Sequence, residues 1–587
     1  MKKILSGILC IAILLTLISV PMTSLAFSAT NREDYELSPK TKEAVELGLV
    51  NLDGTLPIIT DPDAFEAKYG KLTALIVNDA QRVLPINELE MVKRWEKDTG
   101  VRFEWQPIPL DGSSEKISLI LAGGDTLPDI FWNFGDGRSD STVITYLDQD
   151  VFMPTEDLIK AFCPTLVKVF SDNEKYLLEA TAPNGHMYGF PYIEEMYGLV
   201  LTPGPFLINK VWLDKLGLPV PTTVNEFTDA LIAFRDAGDL NGNGKDDEIP
   251  FATSFGSEDT FGSYDAFYRF TGAFGQADSY CGGNRFVDHM RLIDGKVTYT
   301  ALDKAFGDTA MYFHKLYKEN LLNKDAFDVE AGTNYRNREL AQDEALIGVF
   351  GVWTDMEILN NEVRHQYVPL PKLKGDNGTV GFALNYSEMQ DACNTAITED
   401  CEFPEIIAAF VEYIISDPAL SIQSNWGSVG YNYYLADDGV LRFNLDENGD
   451  IIPVEPYTSF GTMRVNTTTC RGSMIVLNEY YDTVAEYTYD AKTLLESQIV
   501  NGKNEDLAQY ETLPKIMLTT QEQAAVSRIY DSLANTVDRY VVQWVLNGDV
   551  ESTWDTYLAE MEAAGVQQIV DIYQGAIDRV KSVENLD

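Results

Sequence analysis

The strongest constraint on the fold lies between residues 72 and 132, where short apolar runs alternate with helical repeats. Leu72-Thr-Ala-Leu-Ile-Val77 is apolar enough to be a strand buried on both faces. Leu89, Val92 and Trp95 recur at helical spacing and predict a helix over 87–98, after which 101–108 alternates as a strand. Residues 114–121 read as a second helix and Asp129-Ile-Phe-Trp132 as a third strand. Strand, helix, strand, helix, strand predicts parallel βαβ units, because parallel neighbours need a crossover between them. The chain has 587 residues, more than one hydrophobic core usually organises, so more than one core is expected.

The flanks are read in the same way. Met1-Lys2-Lys3, an apolar run from Ile4 to Val20 and small residues after Pro21 describe a secretory leader over 1–26; an uncleaved anchor is the alternative. Cys10 lies inside the apolar run, so no lipid-attachment site is recognisable. Residues 27–70 are polar and read as an irregular arm. Thr223 and Glu226 stand three apart as a capping box before the stripe Val224, Phe227, Leu231 and Phe234. Ile347–Phe350 and Thr395–Ile397 read as strands, and Glu405–Ile415 as a helix. Asp446–Asp450 reads as a hairpin turn, and the chain is largely helical from Thr520. Past the leader the cysteines are Cys163, Cys281, Cys393, Cys401 and Cys470, an odd count with no zinc or redox spacing. Cys393 and Cys401 could meet across a turn or stay free.

Charge excludes several partners. Asp and Glu number 91 against 44 Lys and Arg, a net −47, which opposes nucleic acids and acidic lipid surfaces.

One loop carries a cation signature. Asp239-Leu-Asn241-Gly-Asn243-Gly-Lys245-Asp-Asp247-Glu248 sets oxygen donors at alternate positions around Gly242 and Gly244. Hard cations such as Ca²⁺ take six to eight oxygens from a tightly curled backbone. Asp239, Asn241, Asn243, the Lys245 carbonyl, Asp247 and Glu248 are the candidate ligands. Pro250 stands where an EF-hand has its bidentate Glu, so a calcium loop of another kind is expected. A plain acidic turn is the alternative.

Four blocks, in order, resemble the large sugar-binding group of extracellular solute-binding proteins that serve ABC importers. Gly123-Gly-Asp-Thr-Leu-Pro-Asp-Ile-Phe-Trp132 is similar to that family's GDxPDIxxW turn and strand. Asn209-Lys-Val-Trp-Leu-Asp-Lys-Leu-Gly-Leu218, followed by Pro221-Thr-Thr223 and Glu226-Phe227, resembles its WLDKLGL-x-PTT-x-EF block. The loop 239–248 resembles its DxNGNGKxDEIP calcium loop, and Ala396–Cys401 with Pro404-Glu405 its AITKDCKxPE block. Asn547-Gly548, Trp554-Asp555, Tyr557, Gly565 and Tyr573–Ala576 resemble its closing helices. The chain departs from the family in lacking a lipid-anchor cysteine and in following the G-x-E-G stretch only loosely at Ser424–Gly430.

The resemblance implies an α/β fold: a type II two-lobed clamp with a sheet flanked by helices in each lobe, plus C-terminal helices. Residues 71–192 with 372–418 are expected in the first lobe, and 193–371 with 419–587, including the calcium loop, in the second. Crossings are expected near 191–197, 370–375 and 416–425. The implied function is capture of a carbohydrate, an oligosaccharide by expectation, in the cleft and delivery to an ABC permease by an extracellular monomer with structural Ca²⁺.

Sugar sites need aromatic platforms and planar polar side chains. Trp132, at a strand's carboxyl end, and Asp136 beyond it are candidates, as are Tyr192, Glu194 and Tyr197 at the first crossing. Trp353, after 347–350, and Trp426 and Tyr431, after the third crossing, complete the set. Core packing is the competing role for each aromatic. A ligand-presenting sensor subunit would share this fold. A secreted carbohydrate-active enzyme is disfavoured, since the sequence has no Gly-x-Ser-x-Gly elbow, no His-Glu-x-x-His and four scattered histidines.

Overall fold

The computed structural model describes residues 27–583 apart from residues 125, 136–138, 196–204, 256–265, 280–286, 329–342, 353–354, 356–357, 359, 377–386, 449 and 487–512. Fourteen strands form four sheets among these residues. In chain order they are β1 (Leu72–Asn78), β2 (Phe103–Pro109), β3 (Ile130–Asn133), β4 (Phe190–Glu194), β5 (Phe206–Asn209), β6 (Ile249–Phe251), β7 (Met290–Ile293), β8 (Lys296–Tyr299), β9 (Ile347–Gly351), β10 (Tyr367–Pro369), β11 (Met389–Ile397), β12 (Tyr433–Leu435), β13 (Leu441–Phe443) and β14 (Met474–Val476).

The first sheet runs β14-β4-β11-β3-β1-β2. As expected, β1 pairs in parallel with both β2 and β3. The apolar run of β1 occupies the sheet interior, while Pro107 and Pro109 fall on the edge strand β2, where a missing N–H does no harm. Residues quoted above as sequence blocks hold this sheet together. Asp129 Oδ2 accepts from the Thr73 amide and hydroxyl, both at 2.7 Å, and Asp400 Oδ2 accepts from the Leu127 amide at 2.7 Å.

The second sheet runs β10-β5-β9-β6. Asn209 caps the next helix by accepting from the Trp212 amide, and the Thr223–Glu226 capping box forms as expected. Phe227, Phe234, Phe251 and Phe313 lie in this lobe's core together with Trp544 and Tyr557 of the C-terminal helices.

Two features differ from expectation. Residues 27–70 are an ordered appendage of the first lobe, with helices at Pro39–Glu46 and Pro62–Tyr69. Its few aromatics tie it down: Phe27 meets Phe170, Tyr35 meets Phe162, and Phe65 meets Phe403. Second, the chain does not leave the first lobe near 416–425. Residues 422–485 build a small module around Tyr433, Leu441 and Phe443, and its β14 pairs in parallel with β4 in the first sheet. Among the described residues the chain then joins the second lobe's core at Leu513, Ile516 and Leu518, while Met517 stays in the first lobe's core. Lys515 anchors this passage: Nζ donates to the Gln390 carbonyl and lies 3.3 Å from Asp391 and 3.4 Å from Asp140. Burial pulls the ammonium pKa down, but the two aspartates raise it on balance. Cys163, Cys393, Cys401 and Cys470 are buried free thiols, one of the two outcomes left open for Cys393 and Cys401; Cys281 and the leader lie outside the described residues.

Glu412 gives the first lobe a pH-sensitive contact. It accepts from the Thr165 hydroxyl at 2.7 Å at the start of the helix Pro164–Asp172. Burial raises its carboxyl from the usual 4.5 to about 7, against the pull of Thr165 and Arg32. A carboxyl whose pKa is higher in the fold than in the unfolded chain opposes folding once ionised, and stability is regained as pH falls through its folded pKa. Glu412→Gln is therefore expected to stabilise by about 1–2 kcal/mol near pH 8 and to be neutral near pH 4.5. Urea unfolding at both pH values checks this; an equal gain at both would exclude a charge effect.

Candidate functional site

The end of β4 gathers five side chains from three segments. Tyr192 and Glu194 are two apart on one strand and so share a face. Asn425 and Trp426 end the helix Pro418–Trp426, and Arg464 belongs to the helix Phe460–Thr467. Glu194 is the hub. Its Oε1 accepts from Trp426 Nε1 at 2.6 Å and Asn425 Nδ2 at 2.8 Å, and its Oε2 from the Tyr192 hydroxyl at 2.5 Å. Arg464 closes the circuit, donating from Nε to the Asn425 carbonyl at 2.7 Å and from Nη2 to Asn425 Oδ1 at 2.6 Å. Its guanidinium stands 4.1 Å from the Trp426 ring centroid, a cation–π contact.

Burial differs across the group in a useful way. Tyr192, Glu194 and Asn425 are buried, whereas Trp426 is partly exposed. Burial, and then the Glu194 charge, push the Tyr192 phenol well above its usual pKa, so it stays a donor. The result is an aromatic surface held by a charged network, with its indole N–H direction set. It can offer a platform to an apolar sugar face without a reorganisation penalty. Glu195 points the other way, as strand alternation requires. It accepts from the Tyr176 hydroxyl and the Asn478 amide, both at 2.8 Å.

Trp132 is not a platform in this arrangement. It is 0 % exposed, and its ring meets Trp95, Trp105 and Phe410 in the first lobe's core. Its Nε1 donates to the Arg471 carbonyl at 2.9 Å. Gly472 lies over the ring with φ +127°, and a Cβ there would come within 2.3 Å of the indole. Buried Arg82 holds this roof by donating to the carbonyls of Val465, Thr468 and Thr469. Tyr431 packs beside Tyr457, with ring centroids 6.0 Å apart. Asp136, Tyr197 and Trp353 lie outside the described residues. Asn425 and Arg464 were missed by sequence reasoning. The polar stretch around Trp426 could have flagged Asn425, but no motif marks Arg464.

The 239–248 loop curls as its glycines allow, with φ +86° at Gly242 and +81° at Gly244. Asp239 accepts from the Gly242 and Gly244 amides at 2.7 and 2.8 Å, and Asn241 Oδ1 from the Asn243 amide at 2.9 Å. Glu248 Oε1 accepts from the Leu240 and Asn241 amides. Asn243 Nδ2 bridges Asp247 at 3.2 Å and Glu344 at 2.9 Å, the latter a carboxylate from a distant segment that sequence reasoning did not include. Lys245 Nζ stands 4.0 Å from Asp247. Among the described residues no three His, Cys, Asp or Glu side chains stand arranged to hold a metal ion. The candidate donors are nonetheless all oxygen, on side chains of Asp239, Asn241, Asn243, Asp247 and Glu248 and the Lys245 carbonyl, so their chemistry fits a hard cation.

The family model described as bacterial extracellular solute-binding protein matches residues 87–420. The fructooligosaccharide ABC transporter substrate-binding protein FusA of Streptococcus pneumoniae serotype 4 is 29% identical over 506 residues, covering 85% of this chain and 88% of FusA. FusA in complex with kestose superposes with a TM-score of 0.67 at 26% identity, covering 87% of this chain and 99% of that one. An EF-hand mutant of FusA with fructo-nystose gives a TM-score of 0.68 at 27% identity, with the same coverage.

Proposed function

The chain belongs to the bacterial extracellular solute-binding proteins, and from that premise we propose that it captures an oligosaccharide between its lobes and passes it to an ABC transporter. The Glu194-centred network beneath Trp426 carries this reading, because it holds an accessible aromatic surface rigid at the first lobe's sheet edge. Fructooligosaccharides are the first class to test, since FusA is named for them. The role is binding, not turnover. Residues 1–26 direct export, and the mature chain works as an extracellular monomer. Among the described residues no helix is long and apolar enough to cross a membrane. Trp353, Tyr197 and Asp136 remain candidates for the same cleft.

The 239–248 loop holds structural Ca²⁺ through Asp239, Asn241, Asn243, the Lys245 carbonyl, Asp247 and Glu248. The ion would tie the loop into the second lobe without touching sugar.

Thermal shift of the mature chain tests both statements. In calcium, kestose at about 100 times its Kd is expected to stabilise by about 2.7 kcal/mol, a shift of a few degrees, with the sugar recovered intact. EDTA is expected to lower Tm in the absence of sugar. No shift with kestose, other oligosaccharides or uronates would sink the sugar reading, and sugar cleavage would replace it with an enzyme. An EDTA-insensitive melt would remove calcium.

A further inference from the structure

Asp450 makes a contact between the small module and the second lobe. It follows the turn after β13, in the module joined to the first sheet through β14. Its carboxylate meets a cluster on the other lobe. Asn361 Nδ2 donates to Asp450 Oδ2 at 2.7 Å, Arg364 pairs with Oδ1, and His365 Nε2 lies 3.2 Å from that oxygen. These residues form the helix Asn361–Arg364 and its C-cap, between β9 and β10 of the second sheet. The Asp450 and Arg364 side chains are 11% and 14% exposed, so water screens the pair far less than an open surface pair.

The turn is set before the lobes meet. Asp446 Oδ1 accepts from the amides of Asn448 at 2.8 Å and Asp450 at 2.9 Å, and Leu445 bridges Ile451 across it. Little ordering is therefore needed to present the carboxylate.

We propose that Asp450 and the Asn361–Arg364–His365 group are a latch between the lobes that favours the closed clamp. Two-lobed proteins of this kind close around ligand by a hinge. Contacts made only when the lobes meet lower the closed state relative to the open one, and apparent affinity follows the fraction that is competent to bind. The latch rests on the two-lobed fold and not on which sugar is bound. The hairpin turn is thus an interlobe element, with a carboxylate that binds protein.

The test uses the mature chain in calcium, with Asp450→Ala, Arg364→Gln and the double variant. Small-angle scattering without sugar is the primary readout. Each single variant is expected to have a larger radius of gyration than the parent, and the double variant one no larger than the singles. High salt should expand the parent toward the same value. Where kestose binds, its affinity should fall about five-fold or more in each single variant without further loss in the double. If Asp450→Ala does not fold, Asp450→Asn carries the same readouts. Unchanged dimensions in folded single variants overturn the latch whether or not kestose binds, and so do additive losses of affinity in the double variant.

Discussion

Trp132→Ala is expected to destabilise the first lobe by about 3–5 kcal/mol while leaving kestose affinity of the folded protein unchanged. The ring is 0 % exposed and touches Trp95, Trp105 and Phe410. Removing it opens a cavity that the neighbours fill only in part, so the loss combines transfer and cavity contributions. The Arg471 carbonyl also loses a donor. Gly472 and the Arg82-held segment above it should loosen with it, since the indole is their floor. Urea unfolding measures the stability, and titration with kestose below the unfolding transition measures the site. A stable variant that no longer binds sugar would restore Trp132 to the cleft.

Glu194→Ala is expected to remove detectable kestose binding, a loss of about 100-fold or more, and to lower stability by about 3 kcal/mol. Three donors converge on this carboxylate: the Tyr192 hydroxyl, Asn425 Nδ2 and Trp426 Nε1. Each buried donor left unpaired costs about 1–3 kcal/mol, reduced where water can enter. The indole also loses the bond that sets its direction, so the platform of the proposed site is no longer held. Glu194→Gln keeps an acceptor and should fall between the parent and the alanine variant. Glu195→Gln is the internal control, because Glu195 serves Tyr176 and Asn478 on the opposite face. Its kestose affinity should match the parent. A folded Glu194→Ala protein that binds kestose normally would detach this network from the ligand.

Much of the first lobe was legible because local physics sets it. A run such as Leu72–Val77 can hide its apolar atoms only in a doubly covered strand. Helical spacing of Leu89, Val92 and Trp95 likewise leaves one face for the core. Thr223 and Glu226 cap a helix through bonds that span a few residues. The quoted blocks were informative for a related reason: Asp129, Asp400 and Asn209 make hydrogen bonds that fix strand and helix starts in this chain. The 27–70 segment differs from the irregular arm expected because its order comes from contacts with distant residues, which a local pattern does not show. Phe27, Tyr35 and Phe65 each pack against an aromatic ring from elsewhere in the chain.

The candidate site was legible only in part. Glu194, Tyr192 and Trp426 were named from residue type and position, and the structure joins them through one carboxylate. Trp132 met the same criteria and is core. The difference lies in burial: the Gly472 backbone covers the Trp132 indole, which is 0 % exposed, whereas Trp426 packs against Arg464 and Phe460 and stays partly exposed. Tyr431 and Glu195 were similarly indistinguishable from their neighbours until their partners were known.

Residue order alone thus settles β1 to β3 and the helices between them, the cap at Thr223, the curled oxygen-rich loop and the kinship with solute-binding proteins, since each depends on contacts a few residues long or on a run of adjacent side chains. Tertiary structure alone decides that residues 422–485 stay with the first lobe and that Arg464 stacks on Trp426. It alone brings Asp450 to Arg364 across the lobes. Those pairings join segments far apart in the chain, and burial and charge choose among 91 acids and 44 bases only after the cores have brought a few of them within reach.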